Sequence, residues 1–118
     1  MPSFLYLSSC SSCKRIMETL SLPKSVTLVD LKNYPLTAEL LTHLYKATGS
    51  YEALINKRAQ LFKQLGIDTK NLNEDQCKSL LLEHYTFVKR PILIDGAQVF
   101  VGNSPSVVLA AKKWLDEQ

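Results

Sequence analysis

Short apolar runs and longer helical repeats alternate along this chain in an order that points to one fold class. Residues 3–7, SFLYL, form a β-prone run of aromatic and aliphatic side chains. From Ser11 to Leu20 the apolar positions Ile16, Met17 and Leu20 fall at helical spacing, with Lys14, Arg15 and Glu18 on the other face. Pro23 is expected to stop that helix, and SVTLVDL (25–31) predicts a second strand. Strand, helix and strand within about thirty residues make the βαβ unit of a parallel sheet.

From Thr37 to Tyr85 the periodicity is helical. Thr37 with Leu40, Leu41, Leu44 and Tyr45 predicts a helix closed by Gly49. Ser50–Ile55 reads as a short helical turn, Arg58–Leu65 as another that ends at Gly66. Asn73 caps a helix running through His84, with Leu80, Leu81 and Leu82 inward. RPILI (90–94) and QVFVG (98–102) are strands around the turn signal Asp95–Gly96. Ser104–Pro105 opens a last helix, with Val107, Val108, Ala111 and Leu115 as its inner face. The order βαβ, helical block, ββα predicts an α/β fold of the thioredoxin type in a single domain, 1–118. Its core is 1–34 and 86–118, with an all-helical insertion at 35–85.

Length and composition narrow the function classes. A chain of 118 residues with 46% apolar and 21% charged side chains suits one domain with an ordinary core. The net charge of +3 is dispersed over Lys14/Arg15, Lys57/Arg58 and Lys89/Arg90 with acids between them, which argues against direct nucleic-acid binding. No long apolar segment suggests a signal peptide or membrane span. Three cysteines are too few for a secreted disulfide scaffold. A reducing cytoplasm is the expected compartment, where CxxC is catalytic or metal-binding more often than structural.

The chemistry-bearing motif is CSSC, with Cys10 and Cys13 at the junction of the first strand and helix. A sulfur at a helix start meets unpaired first-turn N–H groups and the positive end of the dipole. CxxC thiols so placed have pKa values well below the free-thiol value of about 8.5. Cys13, one turn on, faces the same way, so Cys10 is the candidate attacking thiol and Cys13 its resolver. Ser8, Ser9, Ser11 and Ser12 are small hydroxyl donors expected to support the thiolate. Zinc would need two further ligands from Cys77, His84 and His43, and no second CxxC or HxxxH-type pair completes a site, so no metal is expected. Cys77 alone reads as a half-buried helix cysteine, and the histidines as surface or boundary residues. Arg90–Pro91 begins the strand after the helical block, where proline is sterically tolerated and Arg90 is either a surface charge or a counter-charge for the thiolate.

CSSCK (10–14), ALINKRAQLFKQLGI (53–67), VKRPILIDG (88–96) and VFVGNS (99–104) together resemble the arsenate reductase (ArsC)/Spx/YffB-like family of the thioredoxin-like superfamily. The likeness spans essentially the whole chain, and KRPI after a helical block is its specific part. It implies a cis proline at Pro91 facing the active cysteine, and Arg90 as counter-charge or oxyanion clamp. Arsenate reductases of this type hold the oxyanion with three arginines. One matches Arg90, the second falls on Asn56 and the third on Gly102–Asn103, so two are missing. The resemblance therefore carries thiol chemistry further than it carries arsenate.

Asn56-Lys57-Arg58 is similar to the N-x-R or S-x-R of the Spx and YffB-like branches, with Arg58 in the matching place. Gly49 falls near the glycine with which Spx contacts the C-terminal domain of the RNA polymerase α subunit. Spx proteins usually continue into a charged tail where this chain stops, at Gln118. The resemblance implies a cytoplasmic thiol–disulfide oxidoreductase, arsenate reductase-like, with Cys10, Cys13 and Arg90 catalytic. Ser11, Ser12, Arg58 and Pro91 would support the substrate or anion. No cofactor is bound; electrons come from glutathione or a glutaredoxin or thioredoxin system. The alternative is an Spx-like redox-sensing regulator that binds the RNA polymerase α subunit, with Gly49 at the contact. Neither reading needs nucleic acid or a membrane.

Overall fold

In the computed structural model, which describes residues 2–118, four strands form one sheet: β1 (Ser3–Tyr6), β2 (Thr27–Asp30), β3 (Ile92–Asp95) and β4 (Gln98–Val101). Five helices accompany it: α1 (Ser11–Leu20), α2 (Ala38–Thr48), α3 (Gln60–Leu65), α4 (Glu74–Glu83) and α5 (Pro105–Asp116). The sheet order is β2-β1-β3-β4, with β1 parallel to β2 and antiparallel to β3, and β3 antiparallel to β4. This is a mixed α/β, thioredoxin-like fold. The chain divides into two compact units. One holds the chain up to Tyr34 and from Arg90 to Gln118, the other Pro35–Lys89.

In the first unit the register lines up Leu28, Phe4, Leu93 and Phe100 across the four strands. Phe4 and Leu93 pack there with Ile16 and Leu20 of α1, Val26 and Ala111 of α5, and Met17, Val108 and Leu115 close the margins. Burying one large apolar side chain in such a cluster contributes about 1.5–3 kcal/mol, enough in sum to fix which face of each helix turns inward. Helix α1 ends before Pro23. Ser21 turns into the left-handed region (φ 49°) and its N–H donates to the Glu18 carbonyl, so the proline follows a stop already made. Ser104 caps α5 by accepting the Val107 N–H, with Pro105 at the first turn. Trp114 Nε1 donates to Asp95 Oδ2 at 3.0 Å, which ties α5 to the β3–β4 hairpin while leaving the indole donor satisfied.

The second unit is organised by capping. Thr37 Oγ1 accepts the Leu40 N–H at the start of α2, and Gly49 ends it at φ 77°. A Cβ on Gly49 would meet nothing within 4 Å, so glycine serves the left-handed backbone there and not a close approach. Leu41 and Leu44 are buried, whereas Tyr45 turns outward and stacks on Tyr51 with ring centroids 4.3 Å apart. Asn73 and Gln76 form a full capping box on α4. Leu80 and Leu81 face inward, but Leu82, expected with them, is 40% exposed. Three consecutive helical residues sweep too wide an arc to share one face.

Helix α3 starts at Gln60, two residues after the expected Arg58. The Asn56 side-chain oxygen accepts the Arg58 N–H at 3.3 Å and holds a turn there, leaving Ala59 non-helical. Ile55 and Val88 form an isolated antiparallel bridge, with the Asn56 N–H donating to Phe87 O (2.8 Å) and the Lys89 N–H to Leu54 O (2.7 Å). Phe62 and Phe87 pack beside it at 4.5 Å.

Both Glu74 carboxylate oxygens accept backbone N–H groups, from Tyr51 at 2.9 Å and Glu52 at 3.0 Å. This clamp fixes the 3₁₀ turn Glu52–Leu54 to the start of α4. Glu74→Ala is expected to lower stability by about 1–2 kcal/mol through two lost charge-assisted bonds. Glu74→Gln, with one acceptor oxygen left, should lose less. Urea midpoints at unchanged slope would measure both. Among the described residues no helix is long and apolar enough to cross a membrane.

Candidate functional site

Cys10 owes its position to the end of β1. Leu7 is buried, and its carbonyl accepts the Cys10 N–H at 3.0 Å, closing a tight turn over Ser8 and Ser9. Cys10 keeps extended backbone (φ −94°, ψ 111°) while its carbonyl accepts the Lys14 N–H at 3.2 Å. This is helix N-cap geometry, with sulfur in the place that a serine or aspartate oxygen usually takes. All three cysteines are thiols.

Burial opposes ionisation of Cys10. Against it, the nearby Cys13 backbone N–H and thiol and the Arg90 guanidinium favour the thiolate, so the net effect holds the Cys10 thiol below its ordinary range. Cys13 behaves in the opposite sense. It has no exposed surface. Burial, followed by the hydrogen bond and charge of Cys10, pushes its thiol up to about 11 against a backbone hydrogen bond from Leu7 and the Arg90 charge. Cys10 therefore ionises first, and Cys13 retains its proton and donates it toward the thiolate.

Arg90 reaches this site from the bend just before β3. The Arg90–Pro91 peptide is cis, as the resemblance implied. Pro91 is buried, and its carbonyl accepts the Gly102 N–H at 2.8 Å. Gly102 is itself buried at φ 99°, a backbone conformation that favours glycine. The Arg90 Nε is enclosed in protein. In the first unit, then, Cys10, Cys13 and Arg90 come together, with Pro91 following Arg90 in the chain. Ser11 and Ser12 lie in the first turn of α1, exposed and half-buried respectively.

Arg58 and Gly49 belong to the second unit, where both are exposed. Asn56 donates its side-chain amide to the Thr86 carbonyl at 3.5 Å.

Two expectations change. Ser8 acts on Asp30 and not on the thiolate: the Ser8 hydroxyl is the largest influence holding the Asp30 carboxyl below the usual range, assisted by the Lys32 N–H at 3.1 Å, and Ser8 is not among the groups that favour the Cys10 thiolate. Asp30 itself was missed, because it lies 22 residues from Ser8 and only the register Tyr6↔Asp30 brings the two strand ends together. The signal available was the aspartate ending the second strand of a parallel βαβ unit. Cys77 is fully buried, not half-buried, and burial, then Glu74 and Glu52, raises its thiol pKa. His84 Nδ1 accepts the Thr86 N–H at 3.1 Å, a local cap of the turn Tyr85–Phe87. Among the described residues no group of three or more His, Cys, Asp or Glu is arranged to hold a metal ion.

Comparison with known proteins places this geometry in a family. The global transcriptional regulator Spx of Streptococcus pneumoniae is 29% identical over 102 residues, covering 83% of this chain and 76% of its own. The regulatory protein MgsR of Bacillus subtilis is 25% identical over 114 residues, covering 94% and 90%. The solved arsenate reductase from Vibrio cholerae superposes with a TM-score of 0.73 at 21% identity, covering 93% of this chain and 96% of that one, a likeness of fold. The profile of the ArsC family matches residues 5–111. With Cys10, Cys13, Arg90 and Pro91 all inside that span, the chain belongs to the ArsC family.

Proposed function

We propose that this chain is a thiol–disulfide oxidoreductase in which Cys10 is the nucleophile, Cys13 the resolving thiol and Arg90 the counter-charge. The observation that carries this reading is the split between the two thiols, one ionising early beside Arg90 and one protonated beneath it. The Cys10 thiolate attacks one sulfur of a disulfide substrate, forming a mixed disulfide and releasing the other sulfur as a thiolate. Cys13, losing its proton to the departing sulfur, then attacks Cys10 Sγ. An intramolecular disulfide and a second substrate thiol result. Two electrons have left the dithiol, and two molecules of glutathione, directly or through a glutaredoxin, or one thioredoxin dithiol that becomes a disulfide, restore it. Ser11 and Ser12 line the first turn on which the substrate sulfur arrives, Pro91 frames it, and Arg58 is assigned to anion support. Arsenate is a poor fit, since Asn56 and Gly102–Asn103 stand where two oxyanion arginines would be.

The test is turnover with glutathione alone on 2-hydroxyethyl disulfide, and with glutathione and glutaredoxin on arsenate, each counted as the excess over a Cys10→Ser blank. The expected result is reduction of the disulfide with arsenate near background. Absence of turnover on both would overturn the reading.

A second reading rests on the matched relatives that are named regulators. In it the Cys10–Cys13 pair is a redox switch, and the exposed Gly49 surface meets the C-terminal domain of the RNA polymerase α subunit. Pull-down of that domain by the reduced or oxidised chain, lost in Gly49→Arg, would favour it.

A further inference from the structure

We propose that the outer edge of β2 is a self-association surface, on which a second copy of this chain docks about a two-fold axis at Leu28. β2 is an outer strand of the sheet and pairs with β1 alone. The Thr27 N–H donates to Pro2 O at 2.9 Å and the Leu31 N–H to Tyr6 O at 2.8 Å, so these alternate residues turn their backbone toward β1. Backbone direction alternates along a strand, and the N–H and C=O of Leu28 therefore point away from the sheet. A lysine or proline on such an edge would discourage pairing, and Thr27–Asp30 has neither.

The Leu28 side chain gives this edge an apolar reason to pair. It belongs to the row Leu28, Phe4, Leu93 and Phe100, yet Leu28 is 50% exposed where Phe4 and Leu93 are buried. The row that crosses the core is thus cut open at β2. Beside it runs a groove of about 590 Å³, in which Met17, Leu22 and Val26 lie with Leu28. Lys14 and Glu18, one turn apart on α1, stand along the same groove, and both are exposed.

Backbone and charge both match this surface to itself. Leu28 offers a donor and an acceptor together, so two copies related by a two-fold axis there exchange both bonds in an antiparallel pair. Each four-stranded sheet then continues into the other, with the two Leu28 side chains side by side on one face. Helix α1 returns from the end of β1 to the start of β2 and so runs antiparallel to both. The axis reverses α1 in the second copy, which brings Lys14 of each copy toward Glu18 of the other. Lys24, a further groove residue in the turn before β2, comes to the end of the other strand that carries Asp30. Opposite charges face each other along the groove, and the apolar residues close between them.

The experiment is sedimentation equilibrium of the full chain over a concentration series, with reductant present so that Cys10 cannot link two copies. Amide hydrogen exchange is followed in parallel. The expected result is a reversible monomer–dimer equilibrium in which the Leu28 amide gains protection as the dimer forms. Leu28→Lys should abolish the dimer, and because Leu28 is half exposed its melting temperature should stay that of the wild-type monomer. Lys14→Glu and Glu18→Lys each set like charges across the axis and should raise the dissociation constant about tenfold. The double variant, with the signs exchanged, should return close to wild type, and an equimolar mixture of the two single variants should associate again. A chain that stays monomeric up to about 1 mM would overturn the proposal and leave the edge to a partner polypeptide. A dimer that survives Leu28→Lys, leaves the Leu28 amide unprotected, or is not restored in the double variant would place the contact elsewhere and overturn it equally.

Discussion

Cys10→Ser should abolish disulfide turnover, lowering it by about three orders of magnitude or more, the scale set by loss of a nucleophile in other covalent enzymes. The variant is unusually clean. Cys10 occupies a helix N-cap, and serine is among the preferred residues there because its oxygen accepts first-turn N–H groups well. The variant should thus fold at least as stably as the parent, so that lost turnover reports chemistry alone. Thermal melts beside the assay check this. Turnover that survives in Cys10→Ser would remove Cys10 from the mechanism and shift attention to Cys13, whose burial makes it a poor first attacker.

Arg90→Ala carries the next largest effect. Burial is the strongest influence on Cys10 and it raises the pKa; the opposing contributions come from Cys13 and Arg90. Removing the arginine takes away both its charge and its hydrogen bond, and the balance tips upward. We expect the alkylation midpoint of Cys10 to rise by about one to two units, with a matching tenfold to hundredfold loss of reactivity at neutral pH. Arg90→Lys keeps the charge without the guanidinium fork and should fall between.

The sign for stability follows from the same shift. A depressed thiol pKa stabilises the fold fully above the ordinary thiol value, and the contribution fades as pH falls through the lowered one. Arg90→Ala should therefore lose more stability in mildly alkaline than in acidic buffer. A uniform loss at all pH values would assign Arg90 a packing role instead.

Much of this was legible in the order of residues. The βαβ start could be read because Phe4, Ile16 and Leu20 repeat at the periods of strand and helix, and the bounds of α1 agree with that reading. The helix α4 declared itself through its cap Asn73, which the structure completes into a capping box with Gln76. What escaped was set by side chains acting on local backbone. Asn56 holds back the start of α3, Asp68 accepts the Lys70 N–H to cap the turn Thr69–Asn71, and His84 caps Tyr85–Phe87. None of these alters apolar periodicity, so none leaves a trace in it.

At the site the motif showed which sulfurs matter, but their division of labour depends on burial and on Arg90, which is 77 positions from Cys13. Ser8 was misassigned because serines near a cysteine resemble thiolate donors until the pairing Tyr6↔Asp30 brings Asp30 to the end of β1.

The full burial of Cys13 has an outcome for stoichiometry. Of the three thiols in the chain, solvent meets one, since Cys13 and Cys77 have no exposed surface. To a reagent in solution the native protein should count as a monothiol, with a single fast equivalent. To anything already bonded to Cys10 it is a dithiol, because the second sulfur lies within hydrogen-bond reach of the first. Oxidants and alkylators must spend themselves on Cys10, and the reserve beneath it is open only to a molecule that has entered through that bond.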